Sequence, residues 1–184
     1  MIIAFYKPFN ILSQFTGEKP EETLSVFGLP KNVYACGRLD KDSEGLLILS
    51  DEAQVQHRLT DPKFEKEKTY WVQVEGVPTN EKIQLMEKGL LIQDYKTKPC
   101  KVRVLNEHEY QDIPPRDPPI RTRLTIPTTW IEVILTEGKN RQVRRMTAQI
   151  GYPTLRLIRQ KAGKYPLTHL KPGEWVEIQL KDLI

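Results

Sequence analysis

An α+β fold with a mostly antiparallel sheet is what this sequence predicts, and three observations carry that expectation. Short β-branched or aromatic runs outnumber the helical patterns. The two do not alternate regularly, as a sheet of parallel βαβ units would require. The 184 residues, 39% of them hydrophobic, can bury a core without disulfides or metal, and a single domain over 1–184 is expected.

The first strand is expected at 2–6, the run Ile2-Ile3-Ala4-Phe5-Tyr6. It lacks a basic leader and a small-residue cleavage site, so it reads as a strand and not as a signal peptide. Further strands are expected at 33–36, 46–50, 68–75, 99–105, 129–136, 154–160 and 174–180, with the clearest alternation at 68–74 and 130–135. A helix over about 51–59 would open at Ser50 or Asp51 and close before Asp61-Pro62. A second, over 80–88, takes Thr79 as N-cap and Gly89 as its stop. A third lies between Asn140, its expected cap, and Gly151. At ~100° per residue it places Val143, Met146 and Ile150 on one side and Arg141, Arg144 and Arg145 on the other.

The segment 113–127 is different. It holds Pro114, Pro115, Pro118, Pro119 and Pro127 among Arg116, Arg121 and Arg123. Neither helix nor ladder strand runs through that, so a long stiffened loop is expected. A contact with the same partner as the third helix and a surface insertion without a role both remain open.

No apolar run approaches the ~20 residues of a membrane span, so a soluble, cytoplasmic chain is expected, with no membrane partner. Cys36 and Cys100 are lone thiols, and with His57, His108 and His169 they fall at no metal-ligand spacing. No metal is expected. The net charge is +4, but from Lys139 to Lys164 there are eight basic residues and no acid, leaving 20 basic and 24 acidic residues elsewhere. Concentrated positive charge points to a polyanion. Five of the eight are arginines, which suit bidentate phosphate contacts better than simple solubility.

One segment places charge against buried strands. A short apolar strand runs into Gly37, charged residues crowd 38–44, and a second apolar strand returns after Gly45. Two buried strands make a rigid clamp for a reactive side chain. Taken locally, Asp40, Asp42 and Glu44 equally describe a solvated acidic turn.

The motifs go further. Gly37-Arg38-Leu39-Asp40 followed by Ser43-Glu44-Gly45-Leu46-Leu47 resembles the catalytic motif of the RsuA/RluA-type pseudouridine synthases. Lys7-Pro8 with Asn10, Lys68-Thr69-Tyr70, the segment from Gly138 to Met146, and Leu157-Ile158-Arg159 resemble that family's other motifs, in order. The resemblance covers essentially the whole chain. It implies a pseudouridine synthase fold with an active-site cleft across the sheet, and an isomerisation of uridine in RNA without cofactor. By position, Asp40 matches the nucleophile, Tyr70 the tyrosine that stacks on the flipped base, and Arg144 the residue that pairs with the aspartate. Leu157 matches a pocket-lining residue and Arg38 one that holds or flips the nucleotide. Lys7, Lys139, Arg141, Arg145 and Arg159 are expected to contact RNA. A carboxylate nucleophile must stay ionised, and a guanidinium, which cannot be neutralised, suits that task.

Arg141 stands where many members carry histidine, and Pro118-Pro119-Ile120-Arg121 with the segment 126–130 resembles the large-subunit ribosomal branch. The implied partner is 23S ribosomal RNA or a large-subunit precursor, met by a monomer. The chain starts almost at the Lys7-Pro8 motif, so no S4 domain is expected. Two rivals stand beside this reading. One is a non-catalytic RNA-binding protein on the same fold, against which the intact Asp40, Tyr70 and Arg144 argue. The other is a carboxylate-pair glycosidase, which needs no basic patch.

Overall fold

The computed structural model describes residues 1–121, 123 and 125–184; positions 122 and 124 of the expected loop 113–127 lie outside the described residues. The strands are β1 (Ile2–Lys7), β2 (Tyr34–Ala35), β3 (Glu44–Ser50), β4 (Lys68–Glu75), β5 (Leu91–Ile92), β6 (Tyr95–Lys96), β7 (Lys101–Val104), β8 (Thr128–Leu135), β9 (Thr154–Ala162), β10 (Tyr165–Pro166) and β11 (Trp175–Ile178). The helices are α1 (Ala53–Thr60), α2 (Asn80–Lys88), α3 (Glu107–Tyr110), α4 (Gln142–Gln149) and α5 (Leu180–Leu183). The chain divides into two compact units, Met1–Lys68 with Ile158–Ile184, and Thr69–Leu157. The crossings fall inside β4 and β9.

In the first unit the strand order is β11-β1-β3-β9, with β2 on β3 and β10 on β9. Both β1 and β3 are buried along their whole length, which is why their sequences run as apolar stretches and not as alternating ones. On one face Ile2, Ala4, Leu46 and Ile48 meet Val55 and Leu59 of α1, together with Leu183. On the other, Phe5 lies 5.1 Å from the Phe27 ring. The pairing of β1 with β3 and with β11 is antiparallel, while β3 and β9 run parallel, Gly45 opposite Arg159.

In the second unit β9, β4, β8 and β7 are neighbours in that order. Val72 and Val74 of β4 and Ile131, Val133 and Leu135 of β8 form a core with Ile83 and Met86 of α2 and Val143, Met146 and Ile150 of α4. The other face is polar and cross-linked. The Trp71 indole N–H donates to Glu132 (3.0 Å) and the Gln73 amide to Thr128 Oγ1 (3.1 Å).

The expected α+β architecture and mostly antiparallel sheet are both present, with every expected strand represented. Local details differ. Ser50 and Asp51 do not cap α1: Glu52 holds the N-cap position, Ser50 Oγ accepts its N–H (3.0 Å), and Asp51 accepts from the N-terminal ammonium (2.6 Å). Thr79 does cap α2, accepting from the Lys82 N–H. Asn140 does not cap the third helix. Arg141 stands at the N-cap with φ 51°, and Asn140 Oδ1 accepts from the Arg145 guanidinium (3.3 Å). The hairpin β5–β6 and the short α3, closed by an Asn106–Glu109 capping box, were not expected from the pattern.

Gly45 has φ +102°, and a Cβ there would lie 2.4 Å from the Arg159 carbonyl oxygen and 2.7 Å from its nitrogen. No side chain fits between β3 and β9 at that point. Gly45→Ala is expected to cost about 3 kcal/mol or more of unfolding free energy, measured by denaturant titration. A loss under about 1 kcal/mol would mean the strands part more readily than the structure indicates.

Candidate active site

The acidic loop grows out of a hairpin in the first unit. Tyr34 pairs with Ser50 and Ala35 with Leu49, and the Cys36 N–H donates to the Ile48 carbonyl (2.7 Å). The chain then turns through Gly37, at φ +84°. Both neighbours of Asp40 are tied down. Leu39, 6% exposed, is clamped by Ser13, whose Oγ donates to the Leu39 carbonyl (2.7 Å) and accepts from its N–H (3.1 Å). The Lys41 carbonyl accepts from the Asn10 N–H (2.8 Å), and its ammonium pairs with Glu22. The Ser43 N–H returns to the Asp40 carbonyl (3.0 Å) and closes the turn. Asp40 itself is half-buried and Arg38 is exposed. The turn is therefore not a freely solvated acidic loop: its backbone is fixed on both sides of Asp40, whose carboxylate, like that of Asp42, is partly exposed.

Beneath the loop lies Lys7, with no exposed surface. Its ammonium donates to the carbonyls of Ile11 (2.6 Å), Pro8 (3.0 Å) and Lys41 (3.4 Å). Burial pushes its pKa down to about 7, opposed by the charges of Glu44, Asp42 and Asp40. Lys7 was expected among the RNA contacts, and its complete burial corrects that expectation. Arg159 is corrected for the same reason. It is 4% exposed, and its Nε donates to the Leu46 carbonyl (2.7 Å) across β3. These two cations belong to the framework.

The second unit carries the other expected residues. Tyr70 on β4 is half-buried and packs on the core cluster, of which Leu157 is a member at 6% exposure. Arg144 and Arg145 on α4 are half-buried, while Lys139 and Arg141 are exposed. The inward face of the helix holds Val143, Met146 and Ile150, joined by Gln142 and Thr147. Of the eight basic residues between 139 and 164, Arg156 and Arg159 are buried. The remainder divide between Lys139, Arg141, Arg144 and Arg145 in the second unit and Lys161 and Lys164 in the first.

The turn into α4 is organised by Glu137, a residue the sequence did not single out. Its carboxylate, on a residue 9% exposed, accepts from the Tyr95 hydroxyl, the Lys98 N–H (2.7 Å) and the Gln142 amide (3.0 Å). The Gln142 amide oxygen in turn accepts the Lys139 N–H (3.1 Å), and the Lys139 ammonium lies 4.5 Å over the Tyr95 ring. The bond to Glu137 raises the Tyr95 pKa. A buried glutamate just before Gly138 is a weak signal by itself. The hairpin that supplies Tyr95 and Lys98 was what sequence reading lacked. Among the described residues, no group of three or more His, Cys, Asp and Glu side chains could hold a metal ion.

A model of the RNA pseudouridylate synthase family matches residues 1–149. The chain belongs to the RNA pseudouridylate synthase family. It is 51% identical over 177 residues to the ribosomal large subunit pseudouridine synthase E of Xanthomonas campestris, covering 95% of this chain and 94% of that protein. Against the synthase of the same designation from Vibrio vulnificus it is 49% identical over 179 residues, 97% of this chain and 75% of the relative. A crystal structure of a pseudouridylate synthase superposes with a TM-score of 0.78 at 26% identity, over 99% of this chain and 71% of that one. Membership makes the chain a pseudouridine synthase, an isomerase acting on RNA.

Two expectations follow from this geometry. Because the folded-state pKa of Lys7 is lowered from 10.5 to about 7, the unfolded chain binds one more proton between those values. Stability therefore rises with pH across that window and is lost as pH falls toward 7. The stability difference between wild type and Lys7→Met should grow from pH 7 to 9 in denaturant titrations; a flat difference would show that burial does not depress the amine. Glu137→Ala leaves three donors without their acceptor and is expected to cost about 2–3 kcal/mol. A loss below about 0.5 kcal/mol would remove Glu137 as the organiser of the turn.

Proposed function

We propose that the chain converts a uridine of large-subunit, 23S ribosomal RNA to pseudouridine. The observation that carries this reading is the 51% identity, over nearly the full length of both chains, to a relative named for the ribosomal large subunit. The substrate is 23S ribosomal RNA or a large-subunit precursor. The enzyme acts as a monomer in the cytoplasm, with residues 1–184 serving one catalytic domain. Among the described residues, no helix is long and apolar enough to cross a membrane.

Asp40 is the nucleophile and attacks the target nucleotide at the ribose. The glycosidic bond to N1 breaks, the uracil turns, its C5 displaces the Asp40 carboxylate from the sugar, and C5 gives up its proton while N1 gains one. Asp40 is partly exposed, as a nucleophile must be, and its loop is held on both sides. Reaching the base requires taking it out of its stack, at a cost of a few kcal/mol. Tyr70 offsets part of that cost by stacking on the flipped uracil. Arg144 supplies a permanent guanidinium, Leu157 an apolar wall, and Arg38 holds the displaced nucleotide. Lys139, Arg141 and Arg145 neutralise flanking phosphates. The exposure of Lys139 and Arg141 supports that role.

Ribosomal RNA tritiated at uracil C5 tests the reading. Wild type should release tritium, and Asp40→Asn should release none while still binding RNA. Release by the variant would remove Asp40 as nucleophile. Arg141→Ala and Arg145→Ala should each weaken RNA binding and flatten its dependence on salt by about one phosphate contact. Unchanged slopes would show that α4 faces away from the RNA.

A further inference from the structure

We propose that Phe64, with His57, Arg58 and Lys63, forms a second nucleotide subsite. There an unpaired base of the RNA, outside the target position, stacks on the Phe64 ring, and Arg58 and Lys63 hold its phosphate. The proposal rests on RNA being the substrate, and it concerns where a flanking nucleotide binds and not the isomerisation itself.

The site lies wholly in the first unit. A shallow hollow on α1 is lined by Ala53, Gln54, His57, Arg58 and Phe64. Phe64 closes the 3-10 turn Pro62–Phe64 that follows the helix and remains 40% exposed, in a unit where Phe5 and Tyr6 are buried. The turn leaves little freedom. Asp61 accepts from the Lys63 N–H with its side chain (3.0 Å) and from the Phe64 N–H with its carbonyl (3.1 Å), and the Glu65 N–H reaches the Pro62 carbonyl (3.1 Å). His57 meets the ring at 5.7 Å and 85°, and the Lys63 ammonium lies 4.9 Å from its centroid. Asp61 also holds both side chains, at 3.0 Å from His57 Nε2 and 3.5 Å from Lys63 Nζ. The ring is thus preorganised, half-open and flanked by cationic groups.

An exposed aromatic that serves packing alone needs no such surround. A stacking platform for a single-stranded polyanion does, because the π face takes any base while the cations take the phosphate. Position supports the same partner. Thr60, the last residue of α1, borders the Asp40 loop: a methyl added to Gly37 would lie 3.6 Å from Thr60 Cγ2. Phe64 follows Thr60 by four residues, so RNA bound at that loop would extend toward the segment that carries it. The chemistry selects an unpaired nucleotide over a duplex, since a paired base offers no free face.

Steady-state tritium release from an rRNA fragment, with Phe64→Leu and Phe64→Trp, tests the proposal. Phe64→Leu keeps apolar bulk and loses stacking, so KM should rise about tenfold while kcat falls less than twofold. Phe64→Trp should restore KM, and its added fluorescence should be quenched by RNA beyond the quenching of wild type. Arg58→Ala should reduce the salt dependence of KM. Unchanged KM in Phe64→Leu, or no added quenching in Phe64→Trp, overturns the subsite. So does an equal fall in kcat in both variants accompanied by a lowered Tm, which would mark Phe64 as structural. In each case wild-type release remains intact, whereas failure of the RNA reading would abolish it in the wild type as well.

Discussion

Much of the first unit depends on an amine placed where water does not reach. The Lys7 ammonium gathers carbonyls from the end of β1, from the segment after it and from the loop that carries Asp40. No apolar side chain could join those three turns, because each would leave a buried carbonyl without a donor. Desolvating the amine is costly, and the acids above it, Glu44, Asp42 and Asp40, offset part of that cost. The arrangement works in both directions. The acids keep the lysine tolerable, and the lysine keeps the acids' backbone in place.

Gly45 and Arg159 complete that framework from the other side of β3. The glycine lets β9 approach to a distance no side chain would permit, and the arginine then reaches the Leu46 carbonyl across the gap. With Ser13 clamping Leu39, the loop is held from below, beside and within. Arg38 stays exposed, and Asp40, Lys41 and Asp42 keep partial access to solvent. In the second unit Glu137 does corresponding work for α4, aligning Gln142 and the turn whose outer residues are Lys139 and Arg141. Buried hydrogen-bonding groups thus fix the backbone in both units, and Lys139 and Arg141 stay exposed beside one of them.

The strands were legible because burial writes itself into residue type. The continuous apolar run of β1 and the alternation of β4 announce two buried faces and one, respectively. Helix interiors were legible for the same reason, through Val143, Met146 and Ile150. Helix starts were less so. Asn140 has the chemistry of a cap, but Arg141 adopts the left-handed turn and Gln142 answers the Lys139 N–H instead. Motif order made Asp40 legible, yet it could not separate framework from surface: Lys7 and Arg159 look on paper like any phosphate ligand. Their burial depends on which strands lie beside them, and pairing between distant segments leaves no local trace. Glu137 stayed hidden because two of its partners, Tyr95 and Lys98, lie in and just after the six-residue hairpin at 91–96, too short to show a period.

The division of the chain has a consequence for its birth. The second unit, Thr69–Leu157, is continuous, whereas the first is assembled from both ends of the sequence. During synthesis every residue of the second unit leaves the ribosome before β1 can meet β11 or β3 can meet the last half of β9. Until then the edges of β1 and β3 have only each other and β2, and Gly45 faces a strand that does not yet exist. The nascent protein thus has the whole sequence of the second unit early, and receives Arg159 and β11, which complete the first, last. A ribosome that stalls before codon 158 releases a chain in which Asp40 has neither Arg159 nor the neighbouring strand behind it.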